Sequence, residues 1–116
     1  MSTITLYHNP RCSKSRQALL LLQEQGQEPD IRLYLDSPPS HEELSRLLSQ
    51  LGMTPRQLLR RGEQEYKDQD LGNGELSDAA LIAALVQFPR LLERPIAIRG
   101  DRAVIGRPPE NVLELL

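Results

Sequence analysis

The stretch "HNPRCSKSR", residues 8 to 16, holds the chain's one cysteine, Cys12, with Arg11, Lys14 and Arg16 close to it. A strand-like run ends just before it, and a helical run begins at it. A helix start favours a thiolate. Its first backbone N–H groups lack intrahelical partners, and the macrodipole is positive there. Cysteines in such positions commonly have lowered pKa values. Arg11, Lys14 and Arg16 push the same way where their side chains reach the thiol, and His8 does so when protonated. Those cations are poorly placed for helix stability, since each opposes the dipole by up to about 1 kcal/mol. No Asp or Glu stands among residues 12 to 16. An anion fits this helix start: the thiolate, a bound oxyanion, or both. Plainer readings stand beside that one. Lys14 and Arg16 can be solvated surface charges, a lone cysteine is often buried and inert, and a histidine beside a turn is often only a local hydrogen-bond partner.

Spacing narrows the chemistry. Cys12-Ser13-Lys14-Ser15 is C-x-x-S, so no second thiol is present to resolve a mixed disulfide within the chain. A C-x5-R phosphatase loop would need arginine at position 18, which is Ala18. One Cys and two His argue against a zinc site. No Gly-rich phosphate loop is present.

The elements that must position Cys12 follow from pattern. Thr3 to Tyr7 is short, β-branched and apolar, which predicts a strand, and Asn9-Pro10 ends it. A helix is expected from about Cys12 to Gln25, burying Ser15, Leu19 and Leu22 or close neighbours, with Gly26 as its terminator. Ile31, Leu33 and Leu35 alternate with polar residues and predict a second strand. Together these form a βαβ unit, expected to be parallel and right-handed. Ser40 and Glu43 make a capping-box pattern ahead of Leu44, Leu47, Leu48 and Leu51. Thr54, Pro55 and Gln57 start another helix. Residues 62 to 76 read as a short helix and a loop. Ser77 caps a helix to about Gln87, stopped by Pro89. "IAI" and "AVI" form a hairpin across Gly100-Asp101, and Pro108-Pro109 opens a last helix to the chain end.

This order gives an α/β chain with a small mixed sheet of about four strands. A helical insert separates a βαβ half from a ββα half, as in a thioredoxin-like fold. At 116 residues the expectation is one domain spanning residues 1 to 116. Apolar residues make up 39%, enough for one modest core. With four aromatic residues (three Tyr, one Phe), that core must be mostly aliphatic. A formal net charge of -2 offers no global field for nucleic acid or an anionic membrane. The single thiol suits a reducing cytosol. No signal peptide or membrane span is apparent, so a soluble cytoplasmic protein, monomeric at this size, is expected.

"YHNPRCSKSR", then "LLRR", "ERPI" and "GRP" in this order resemble the glutaredoxin-coupled arsenate reductases, the ArsC-type family. The likeness spans the chain, including "YLDSPPS" and "GRPPENVLELL". It implies a thioredoxin-like fold and reduction of arsenate to arsenite. It also implies that Cys12 is the nucleophile, that His8 helps hold it as thiolate, and that Ser15, one helical turn on, hydrogen-bonds it. Arg60, Arg94 and Arg107 match the family's oxyanion-binding arginines, and Arg94-Pro95 is implied to be cis. Arginine forks suit a tetrahedral oxyanion, because they bind bidentately and stay charged. Any one arginine, including Arg61 beside Arg60, is also an ordinary surface charge. Within the motif, Ser13-Lys14-Ser15 stands where some relatives have Gly-Thr-Ser. No bound cofactor is implied. Glutathione would serve as thiol co-substrate, with glutaredoxin as the protein partner. Two other readings share the fold. One is a monothiol reductase acting on glutathionylated protein, and the other is an Spx-like regulator that binds RNA polymerase. The second typically carries C-x-x-C at this position.

Overall fold

A computed structural model describes residues 3–116. The chain divides into two compact units. One comprises the segment up to Ser37 together with Arg94–Leu116, and the other is Pro38–Glu93.

The first unit is built on four strands: β1 (Thr5–Tyr7), β2 (Asp30–Arg32), β3 (Ile96–Arg99) and β4 (Arg102–Ile105). Their order in the sheet is β2-β1-β3-β4. β1 runs parallel to β2 and antiparallel to β3, and β3 is antiparallel to β4. Helix α1 (Ser13–Glu24) makes the crossover between the parallel pair. Its buried positions are Ser15, Ala18 and Leu22, spaced three and four apart, so one stripe faces the sheet. Ala18 and Leu22 pack with Ile4, Leu6, Ala97, Val112 and Leu115 in one core cluster. α1 ends as the sequence predicts. Gly26 adopts φ 76°, while its N–H bonds to Gln23 and the Gln27 N–H bonds to Leu22. That pair of bonds closes a helix through a left-handed residue.

The second unit is helical: α2 (His41–Leu51), α3 (Pro55–Leu58), α4 (Gln64–Asp68), α5 (Asp78–Gln87) and a 3₁₀ turn at Pro89–Leu91. Both capping boxes form. Ser40 Oγ accepts from the Glu43 N–H while Glu43 accepts from the Ser40 N–H, and Thr54 and Gln57 repeat the exchange. Leu44, Leu47, Leu58, Leu81, Leu85, Leu91 and Leu92 are fully buried and supply an aliphatic core. The polar segment that follows α4 is tied down by Arg56, whose guanidinium donates to the carbonyls of Leu71 and Asn73.

Two elements differ from expectation. β2 is shorter than residues 31–35, and its alternation is inverted in use. Ile31, Leu33 and Leu35 are 43%, 40% and 38% exposed, while Tyr34 is buried. β2 is an edge strand, and turn bonds from Asp36 and Ser37 to the Leu33 carbonyl stop it. Tyr34 instead stacks on Tyr7, with ring centroids 6.4 Å apart. The last helix is 3₁₀ over Pro109–Leu115 and buries Pro109, Val112 and Leu115. A spacing of three matches three residues per turn, so the short helix keeps one face on the core. With these two adjustments, the mixed sheet, its helical crossover and the helical stretch before β3 make the expected thioredoxin-like fold.

Candidate active site

The turn from β1 into α1 is organised by Asn9. Its carbonyl accepts the Cys12 N–H at 2.9 Å, closing a tight turn with Pro10 at the second position, where its fixed φ is favourable. Its side-chain oxygen accepts the Arg11 N–H at 3.0 Å, and its own N–H donates to Ser15 Oγ at 3.0 Å. Asn9 was legible in the sequence only as a strand breaker. The missed signal is an Asx residue at the first position of a turn, followed by proline.

Cys12 is therefore the N-cap of α1, with φ -93° and ψ 121°, and its side chain makes no capping bond. The thiol is partly exposed. Arg107 Nη2 stands 3.9 Å from Cys12 Sγ. Arg107 is held from behind by a bond from Nε to the Arg94 carbonyl at 2.7 Å. The Arg107 carbonyl accepts from Asn111 at 3.1 Å. The segments carrying Arg94 and Arg107 are laced together as well, since the Gly106 N–H donates to the Pro95 carbonyl at 2.8 Å. Gly106 permits that approach. A Cβ there would lie 2.8 Å from Pro95 Cγ and 3.1 Å from Val112 Cγ1. Arg94-Pro95 is cis, as the resemblance implies, and Arg107-Pro108 is cis too.

His8 and Ser15 are both buried. His8 Nδ1 lies 2.6 Å from Ser15 Oγ. Burial pushes the His8 pKa down, and the Arg16 charge adds to this. Its imidazole is thus neutral near pH 7. Ser15 Oγ is engaged by His8 and by Asn9, and among the described residues no hydrogen bond joins it to the Cys12 sulfur. If Nδ1 carries the ring proton, Ser15 accepts from both neighbours and its own O–H is released toward another acceptor. Of the local cations, Arg16 donates from Nη1 to the Pro10 carbonyl at 2.8 Å and clasps the turn. Arg11 and Lys14 are exposed.

Cys12, His8, Ser15, Arg94 and Arg107 all belong to the first unit. Arg60 belongs to the second. Its backbone N–H bonds to the Leu91 carbonyl at 2.8 Å, next to an isolated antiparallel bridge between Leu59 and Leu92. Its guanidinium pairs with Glu63 at 2.7 Å and with Glu93 at 3.6 Å. The sequence motif points to Arg60 and carries no sign of either carboxylate partner. Among the described residues, no three or more His, Cys, Asp or Glu side chains gather where they could hold a metal ion. No helix among them is long and apolar enough to cross a membrane.

Fold and site together define a single-thiol protein of thioredoxin-like architecture, with its sulfur at the first helix start and an arginine beside it. Comparison with known proteins narrows this. Residues 7–115 match the model of the ArsC family. The chain is 47% identical over 115 residues to an arsenate reductase of Haemophilus influenzae, covering 98% of this chain and 99% of that one. It is 50% identical over 114 residues to the uncharacterized protein YfgD of Escherichia coli K12, covering 97% and 96% of the two chains. An arsenate reductase structure from Vibrio cholerae superposes with a TM-score of 0.96 at 49% identity, covering 99% and 98%. The chain belongs to the ArsC family.

Proposed function

We propose that this protein is an arsenate reductase that uses Cys12 as its nucleophile and draws its second thiol from glutathione. The observation that carries the reading is the Cys12 sulfur at the helix start, 3.9 Å from Arg107 Nη2, in a chain with no other cysteine. Arg107 and Arg94 offset the charge of an incoming oxyanion, which a thiolate would otherwise repel. Arg60 joins them in this reading through its "LLRR" context.

In the proposed cycle, the Cys12 thiolate attacks arsenic and one arsenate oxygen leaves as water, giving a thiol–arsenate adduct. Glutathione then supplies the second thiol. Two electrons pass from the two sulfurs to As(V), arsenite leaves, and Cys12 remains as a mixed disulfide with glutathione. Glutaredoxin reduces that disulfide and restores the thiolate. His8 and Ser15 support the sulfur indirectly, through the His8–Ser15 and Asn9–Ser15 hydrogen bonds at its turn, because a neutral His8 contributes no charge. We take the two compact units as one functional domain, acting as a cytoplasmic monomer without a bound cofactor.

The test is arsenate reduction coupled to glutathione and glutaredoxin. The wild-type protein should turn over, and Cys12→Ser should show no activity above background. Full turnover by Cys12→Ser would remove the nucleophile from the scheme.

A further inference from the structure

Arg60 sits in a chain of alternating charges inside the helical unit. Glu93 Oε1 is 3.6 Å from Arg60 Nε, and Glu63 Oε1 is 2.7 Å from Arg60 Nη1. The second oxygen of Glu63 faces Arg90 Nη2 at 3.7 Å, and Arg90 Nε faces Glu65 at 3.9 Å. The Arg60, Glu63 and Glu93 side chains are only 23%, 18% and 27% exposed. Their pairing is therefore less screened than that of a surface ion pair.

The backbone prepares this arrangement. Arg60 donates to Leu91, and Glu93 donates to Leu58 at 3.0 Å. These bonds flank the Leu59–Leu92 bridge, and all four leucines are buried. Arg60 and Glu93 thus start from main-chain positions anchored in a core, and Glu63 reaches back from one turn further on. A guanidinium has five N–H donors in a planar fork. Here Nη1 donates to Glu63 and Nε faces Glu93 as an ion-pair contact, while no hydrogen bond from Nη2 is made among the described residues.

We propose that Glu63, with Glu93, is a positioning residue. The pair clamps two nitrogens of Arg60 so that its Nη2 edge is presented to the oxyanion. This rests on the reading of Arg60 as an oxyanion-binding arginine. A fixed fork loses less rotamer freedom on meeting its ligand than a mobile one. The clamp therefore acts on substrate affinity and leaves the chemical step at Cys12 alone.

Steady-state kinetics on Arg60→Ala, Glu63→Ala, Glu63→Gln and the Arg60→Ala/Glu63→Ala double variant test this. Arg60→Ala should raise the arsenate KM about tenfold and Glu63→Ala about fivefold, the latter with kcat within about twofold of wild type. Glu63→Gln keeps an acceptor oxygen for Nη1 and should return KM to within about twofold of wild type. It also serves if the alanine variant folds poorly. In the double variant, losing Glu63 should add nothing to the loss of Arg60. An unchanged or lowered KM in Glu63→Ala, with KM raised in Arg60→Ala, overturns the clamp and leaves the arginine reading intact. Equal losses in Glu63→Ala and Glu63→Gln, or additive losses in the double variant, also overturn it. An unchanged KM in Arg60→Ala overturns both.

Discussion

Two pairs of arginines, one pair in each unit, are fixed by different acceptors. Around the Cys12 turn, Arg16 donates to the Pro10 carbonyl and Arg107 to the Arg94 carbonyl. In the helical unit, Arg60 and Arg90 are held by the carboxylates of Glu63, Glu93 and Glu65. A carbonyl orients a guanidinium and leaves its formal charge in place. A carboxylate orients it and balances the charge as well. The bonds that hold the thiol turn therefore preserve positive potential where an anion is expected. Those on Arg60 and Arg90 give up potential in exchange for fixed direction.

The difference predicts unequal losses. Arg107 meets the sulfur directly and its Nε bond runs to a carbonyl, so Arg107→Ala should lower kcat/KM for arsenate about a hundredfold, the upper end for a charge-assisted contact. Arg60→Ala, with two carboxylates already on the side chain, should cost about tenfold and fall mainly on KM. Steady-state kinetics on the two variants side by side would show the ranking. A larger loss at Arg60 would break the distinction between the two kinds of anchoring.

Gly106 sharpens the same point on the side of the first unit. The Cβ of an alanine there would stand 2.8 Å from Pro95 Cγ and 3.1 Å from Val112 Cγ1. Pro95 is buried, so relief must come from moving the backbone that carries Arg94 or Arg107. Gly106→Ala should destabilise the fold by about 1–3 kcal/mol, as overpacking does. It should also raise the arsenate KM, because the Gly106–Pro95 bond that sets Arg107 beside the sulfur is disturbed. Denaturant unfolding and kinetics on one preparation would separate the two effects. A destabilised variant with an unchanged KM would show that Arg107 is placed by its own bonds alone.

Local signals in the sequence carried much of this structure, since short-range rules govern them. Ser40 with Glu43, and Thr54 with Gln57, specify helix starts through bonds three residues long. Gly26 marks a helix end through its own backbone freedom. The helix-start position of Cys12 was legible for the same reason. What stayed hidden depends on tertiary neighbours. The alternation of Ile31, Leu33 and Leu35 gives the period of a strand but cannot say which face is covered, and on an edge strand the buried side chain is Tyr34. Pro109, Val112 and Leu115 fit either an α or a 3₁₀ helix until the core is present. The partners of Arg60 are the clearest case. Glu63 lies within reach along the chain, but Glu93 is brought close by a bridge between Leu59 and Leu92 that no local pattern encodes.

The smallest expected effect concerns His8, where Arg16 acts on a neighbouring base as well as on the turn. Burial is the larger cause of the lowered His8 pKa, and the Arg16 charge is the second. An unfolded His8 titrates near its ordinary value of about 6.5. As pH falls below that value, the unfolded chain takes up a proton before the folded one does, and stability must drop. The contribution is fully present above the unfolded pKa and is lost as pH falls toward the lowered folded value. Melting temperatures at pH 7.5 and 5.5 should therefore show a smaller acid loss in His8→Asn than in wild type. Arg16→Ala should lie between the two, since it lifts the Coulomb part and leaves the burial part. An acid loss in Arg16→Ala equal to that of wild type would mean that the Arg16 guanidinium, held on the Pro10 carbonyl, acts on the turn alone and not on the imidazole.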